Sequence, residues 1–228
     1  PGPPPFPSPT RFRSAKRESG AANGAAVGTN AGPVWTALKA IKTPQFALLC
    51  LSGVGYAMPW GVVVAHGRLH LEDLGFSTAM AASVLGTMIL VSIAGRLTGS
   101  LGDFIKPERV LAIAIVLEGL GVIGLLYATA APLAYASTIA IGLGFGAAYI
   151  SIAVVFANFF GVAAFATTAG TRFLITGIFN ALGPGIAGRI FDSTGSYRTT
   201  FLALIAICAT AGFGAFQLKP PVAKHVTS

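Results

Sequence analysis

The sequence predicts an all-α membrane protein with six transmembrane helices. Three observations carry this. Only 10% of the residues are charged and 54% are hydrophobic, whereas a soluble domain carries about 25% charge. A soluble fold of 228 residues could not cover its surface with so few charges. The apolar residues also fall in runs long enough to cross a bilayer, which takes roughly 20 residues at about 1.5 Å each. Residues 119–171 contain no charged side chain, enough for two crossings. The short alternating segments of a membrane β-barrel are absent.

The elements follow in order. Residues 1–34 are rich in Pro, Gly and Ala and cannot bury enough apolar surface to offset their ordering entropy, so a disordered linker is expected there. Residues 35–42 (WTALKAIK) can place apolar and basic side chains on two faces of a short helix at the membrane surface. Six apolar spans come next, within a membrane domain at 35–221. The first covers about 44–66 and contains Pro59, where a kink is expected. The second covers 78–101, and the third 109–128 with Glu118 inside it. The fourth, 133–157, follows Pro132, which suits a helix start. The fifth, 164–188, holds Arg172 and a break at Gly183-Pro184-Gly185. The sixth covers 197–218, and a short tail at 222–228 ends the sequence. The first residue is Pro1 and no signal peptide is visible, so a longer product is expected.

The basic residues set the topology. Arg11, Arg13, Lys16, Arg17, Lys39, Lys42, Lys106, Arg109, Lys219 and Lys224 fall on one side if the N-terminal end is inside, against Arg68, Arg189 and Arg198 outside. This bias predicts a multi-pass protein of the cell membrane with both termini of the segment cytoplasmic. The same distribution excludes nucleic acid as a partner despite the +8 charge, because the cations flank apolar runs instead of forming one face.

Chemistry-bearing motifs are few. Cys50 and Cys208 lie in apolar runs with no metal-ligand spacing, and read as small buried apolar residues. Gly119–Gly124 and Gly183–Gly188 match a dinucleotide fingerprint, yet neither follows a strand nor leads to the ribose-binding acid. Those glycines fit close helix packing or flexing instead, and no cofactor is expected. Catalytic constellations are missing, so the chain is not read as an enzyme. His66 and His70 fit an interfacial position at the outer end of the first span, with too few further ligands for a metal.

The intramembrane charges are the sharp features. Arg96 stands one residue after Gly95, at the end of a charge-free run. A cation at membrane depth costs about 2.5–3.5 kcal/mol or more and so faces a polar cavity or a partner. Two accounts stay open: Arg96 snorkels or pairs internally, or it binds an anion. Arg172 and Glu118 either pair with each other or with backbone carbonyls, or serve as a second anion ligand and a proton-coupling group. Tyr56 with Trp60, and Phe145 with Tyr149, are aromatic pairs at i, i+4. Tyr149 also brings a hydroxyl that needs a polar neighbour.

The connection after the second span, Gly95-Arg96 and Gly99-x-Leu-x-Asp103 with Arg109 beyond, resembles the loop motif of the major facilitator superfamily as repeated in its second half. Phe104 stands where a basic residue usually follows the Asp, and Lys106-Pro107 replaces the usual glycine turn. Thr43-Pro44-Gln45-Phe46, Asn158-Phe159-Phe160-Gly161, Gly183-Pro184 and Phe191-Asp192-x-Thr-Gly-Ser-Tyr197 resemble the oxalate/formate antiporter and monocarboxylate transporter branch. The resemblance implies one half of a twelve-helix fold. Its partners would be a preceding six-helix half, joined by the Pro-rich linker, and the lipid bilayer. It implies secondary active transport of a small organic anion, with Arg96 as the carboxylate ligand and Phe145 and Tyr149 in the cavity wall. Gly95, Gly99, Asp103 and Arg109 would form the conformational loop. Where some relatives carry an acid one turn before the arginine, this chain has Ser92; where oxalate antiporters carry a lysine, it has Thr176, with Arg172 one turn earlier. The competing expectation is a membrane scaffold without transport, or a decayed half-transporter.

Overall fold

The computed structural model describes residues 35–98 and 105–221. The expected linker, the tail and the loop residues Gly99 and Asp103 lie outside the described residues. Among those described, the regular elements are all helices: α1 (Ala37–Ile41), α2 (Pro44–Asp73), α3 (Thr78–Leu97), α4 (Pro107–Leu126), α5 (Ala131–Thr194) and α6 (Arg198–Phe216). The helix starts follow local chemistry. Thr43 caps α2, its hydroxyl accepting from the Phe46 N–H at 3.2 Å and donating to the Ala40 carbonyl at 2.7 Å. Ser77 caps α3 in the same way through the Met80 N–H. Pro44, Pro107 and Pro132 occupy first-turn positions, where a missing N–H costs nothing.

Five of these helices are long and apolar enough to cross a membrane, and α5 supplies two crossings. A straight helix of 64 residues would be about 96 Å long, some three bilayer cores. Gly161 breaks it, with φ 73° and ψ 167°, a region open to glycine alone. The Arg172 guanidinium carbon lies 5.8 Å from the Phe156 ring centroid, although a straight helix would separate those residues by about 24 Å. The two arms of α5, 131–160 and 162–194, therefore fold back on one another, and six crossings result as expected.

Several expectations are corrected. No break occurs at Gly183-Pro184-Gly185; the helix runs on to Thr194, and Gly195 ends it at φ 66°. A break there would strand backbone groups in an apolar surrounding. The first span likewise extends past His66 to Asp73, ending before Gly75 at φ 92°. Pro59, where a kink is expected, lies inside this helix. Proline has no N–H, so Gly55 loses the helical donor to its carbonyl; Cys208 Sγ donates to that oxygen instead, at 3.5 Å. Cys208 is buried as expected, but the proline gives it this further role.

Glycine sets how closely α3 approaches the first arm of α5. A Cβ on Gly95 would fall 2.6 Å from the Leu143 carbonyl oxygen, and one on Gly146 would fall 2.8 Å from the Arg96 nitrogen and onto the Ser92 carbonyl. Gly142 abuts the Met88 carbonyl in the same way. Gly119, Gly121 and Gly124 give α4 a similar close approach to α6 and α5. This is the packing that small residues permit between membrane helices. Buried apolar side chains form two clusters, one containing Phe46, Ile115, Phe156 and Cys208, the other Val63, Val122, Ile141 and Leu204. Along α4, Glu118 falls between Ile115 and Val122, so the core is divided at its level.

Gly146→Val would overpack the α3–α5 contact and is expected to destabilise by about 1–3 kcal/mol. Gly177→Ala, where nothing lies within 4 Å, should be tolerated. Thermal melting of the two variants in detergent checks the contrast.

Candidate functional site

The two arms of α5 and the middle of α2 enclose an open concavity of about 270 Å³. α2 contributes Tyr56, Ala57 and Trp60, the first arm Phe145 and Tyr149, and the second arm Phe173, Thr176, Gly177 and Asn180. The aromatic wall is continuous: Trp60 stacks on Phe145 at 4.0 Å, while Tyr56 lies 5.6 Å and Tyr149 6.2 Å from the Phe145 ring. Both aromatic pairs expected from spacing are thus in one site. Helical period explains the rest. Arg172, Thr176 and Asn180 recur every four residues on α5, and Gly53, Ala57 and Gly61 do so on α2. Gly53 receives the Thr176 methyl and Gly61 the Asn180 side-chain oxygen. Thr176, singled out by the resemblance, is a lining residue; Asn180 was not foreseen, yet this matched small-against-polar spacing is its signal.

The two intramembrane arginines flank the wall differently. Arg96 is exposed, and its guanidinium lies over the Tyr149 ring at 5.2 Å from the centroid, a cation–π contact. The Gly95 and Gly146 contacts hold its backbone against α5, so the side chain can reach one turn along to Tyr149. Ser92 faces that same backbone contact, is buried, and donates to the Ile89 carbonyl at 2.7 Å. Arg172 is only 3% exposed. Its Nη1 donates to the Tyr56 hydroxyl at 3.1 Å, its guanidinium lies 3.9 Å from the Phe173 ring centroid, and its Nε has no hydrogen-bond partner. Tyr56 and Phe173 therefore stand between Arg172 and the concavity.

Of the accounts left open for Arg172 and Glu118, pairing with each other is not made. Glu118 is fully buried, and neither carboxylate oxygen has a hydrogen-bond partner. The reason is geometric: Arg172 reaches toward α2 and is taken up by Tyr56, while Glu118 packs on Gly144 of the first arm. The one ion pair among the described residues is Arg68 with Glu72, at 2.7 Å on the surface. Arg109 is exposed at the start of α4, away from the concavity lining. Among the described residues no cluster of His, Cys, Asp or Glu could hold a metal.

His66 and His70 lie within α2 and act as struts between helices. His66 Nε2 donates to the Pro184 carbonyl at 2.9 Å. This leaves Nδ1 of the neutral ring to accept from the Tyr197 hydroxyl at 3.1 Å. Burial, with Asp73 and Asp192 nearby, pushes the Tyr197 phenol up from its ordinary value, which preserves the donor. His70 Nε2 donates to the Leu125 carbonyl, and its ring stacks on Phe201.

A membrane bundle of six crossings, with a hairpin at Gly161 and a cation-flanked concavity, is thus in place. The family model of the Major Facilitator Superfamily matches residues 46–228. The chain belongs to the Major Facilitator Superfamily. It is accordingly part of a multi-pass membrane transporter, and its helices are half of the superfamily fold. No curated protein matches the chain.

Tyr56→Phe removes the hydroxyl that satisfies Arg172. A buried charged donor left without its partner costs about 1–3 kcal/mol or more, so the melting temperature of the variant in detergent should fall. Tyr149→Phe, on a half-open wall, should leave it nearly unchanged.

Proposed function

We propose that this chain forms the second half of a secondary active transporter for a small organic anion, such as a monocarboxylate or an oxalate/formate-type substrate. The observation that carries the reading is the pairing of an accessible cation, Arg96, with an aromatic-walled concavity shared by three membrane crossings. A carboxylate would accept charge-assisted hydrogen bonds from Arg96, and the apolar remainder would lie along Trp60, Phe145 and Tyr149. Arg172 would be a second source of positive potential behind Tyr56. The preceding six-helix half would close over the exposed apolar faces of α3 and the second arm of α5, joined through the segment before Trp35. Substrate would then sit between halves near the bilayer midplane, as in transporters built from inverted repeats. Transport would proceed by alternating access, with Gly95, Gly99, Asp103 and Arg109 at the cytoplasmic hinge. In this reading the cell membrane is the site of action, both ends of the segment are cytoplasmic, and nucleic acid plays no part.

The test is uptake of radiolabelled formate, lactate and oxalate into proteoliposomes containing the full-length protein. Arg96→Ala is expected to weaken apparent affinity by about 10- to 100-fold, the loss of one charge-assisted hydrogen bond worth about 1.5–3 kcal/mol. Arg96→Lys should recover only part of this, since it loses the planar fork. Uptake unchanged in both variants would sink the anion-site assignment. Absence of any uptake by the wild type, across a broad panel of anions, would favour a scaffold role.

A further inference from the structure

A second concavity, of about 330 Å³, lies between α4 and α6, away from the aromatic wall. Its floor is small: Gly119 of α4 with Cys208 and Ala209 of α6. Its walls are Val116, Leu120 and Ile123 on one side and Ile205, Phe213 and Phe216 on the other. The lining is apolar apart from the Cys208 thiol, which already donates to the Gly55 carbonyl. The two helices are antiparallel, since Gly119 meets Cys208 while Val116 meets Gly212. The groove therefore follows the helix axes, which in a spanning bundle is also the direction of the lipid tails. Leu120, Phe213 and Phe216 are each more than half exposed. Neither α3 nor the second arm of α5, the faces assigned to the preceding half, contributes to this groove.

The two ends of the groove differ in charge. Arg109, Ile113, Val116, Leu120 and Ile123 follow one another along α4 at alternating spacings of four and three residues, so Arg109 stands on the same stripe as the groove wall. The antiparallel pairing of Val116 with Gly212, carried seven residues on, brings Arg109 level with Lys219. Lys219 follows Phe216 just past the end of α6. Arg109, Lys219 and the neighbouring Lys106 are exposed, and none forms an ion pair among the described residues. Glu108 is the one acidic group at that end among those residues. The opposite end is balanced, because Arg198 shares a polar pocket with Asp73 and His70.

We propose that this groove is a site for an anionic phospholipid, with one acyl chain between α4 and α6 and the phosphate held by Arg109 and Lys219. Apolar burial alone does not favour the groove over the bulk bilayer, since lipid tails are as apolar as the lining. Packing does: a tail seated between two helices and on a small-residue floor gains dispersion contacts on three sides. The cations then select the headgroup. Each Lys or Arg near the surface attracts anionic lipid, and phosphate oxygens accept charge-assisted hydrogen bonds from both side chains. Glu108 offsets part of this attraction and Lys106 restores it. The bound lipid clamps the first turn of α4 to the last turn of α6. The proposal does not depend on the anion-transport reading.

The experiment titrates the purified full-length protein in detergent with dioleoyl-phosphatidylglycerol or dioleoyl-phosphatidylcholine and reads bound lipid by native mass spectrometry. Two cations at about fivefold each predict that the anionic lipid binds its tightest site about 10- to 30-fold better than the zwitterionic one. Lys219→Glu should remove most of that preference while leaving phosphatidylcholine binding unchanged. Ala209→Phe, which fills the floor from an exposed position, should weaken both lipids. Leu202→Phe, on α6 but outside the lining, should change neither. Equal affinity for the two lipids in the wild type would overturn the proposal. So would a preference that survives Lys219→Glu, a variant in the exposed segment past α6 that decides the matter even if Ala209→Phe fails to fold. Dimers of the wild type that Ala209→Phe disperses would overturn it in favour of an interface between copies.

Discussion

The arrangement depends on one buried cation. Arg172 is taken almost wholly out of solvent with no carboxylate to meet it, and such a charge survives only where its surroundings compensate it. Three kinds of partner do so. The Tyr56 hydroxyl accepts one hydrogen bond, the Phe173 and Phe156 rings present their faces, and Gly53 leaves room for the side chain and the next turn. Each partner demands a piece of architecture. Tyr56 requires α2 against the second arm of α5, Phe156 requires the α5 hairpin, and the hairpin requires Gly161. Satisfying the cation therefore also brings Tyr56, Phe173 and Thr176 to one concavity.

Proline shapes the bundle by what it removes. Pro59 deprives the Gly55 carbonyl of its helical donor, and the Cys208 thiol on α6 supplies a replacement. The Pro184 carbonyl receives the His66 ring nitrogen from α2. In both places a side chain from another helix bonds the backbone near a proline. The gain is cross-linking: α6 is tied to α2, and α2 to the second arm of α5, through groups that cannot find water. Helix continuity through Pro59 and Pro184 follows from the same constraint, since an open backbone gap would leave polar groups unsatisfied in an apolar medium.

Span number and most helix starts were legible in the sequence because they depend on local chemistry: charge-free length, and proline in a first turn as at Pro132. Helix ends were less legible. The chain from His66 to Asp73 is polar by composition, yet it stays helical because His70 finds the Leu125 carbonyl and Leu71 is fully buried; those are tertiary partners. The site was legible in part. Arg96 and the aromatic pairs stood out by depth and spacing, and they do meet. The fate of Glu118 and Arg172 was not readable, because both lie at membrane depth and composition favours pairing them. In three dimensions Arg172 is taken up by Tyr56, while Glu118 packs on Gly144. The Arg172-Thr176-Asn180 stripe and its Gly53-Ala57-Gly61 counterpart had a period that could have been matched, given the knowledge that α2 and the second arm of α5 are neighbours.

Two cations flanking one wall need not do the same work. Arg96 is exposed and meets only the face of Tyr149, so it can turn toward an arriving anion at little cost in broken bonds. Arg172 already spends a hydrogen bond on Tyr56 and is covered by Phe173, so direct ligation would require both rings to move. Its field does not require contact, because low polarizability in the surrounding core lets a buried charge act over a longer range than an exposed one. On the proposed reading Arg96 therefore sets affinity and the geometry of the carboxylate, while Arg172 sets the potential of the whole concavity. Neutralising Arg96 should then act mainly on how tightly an anion is held. Neutralising Arg172 should act on whether negative charge is admitted at all.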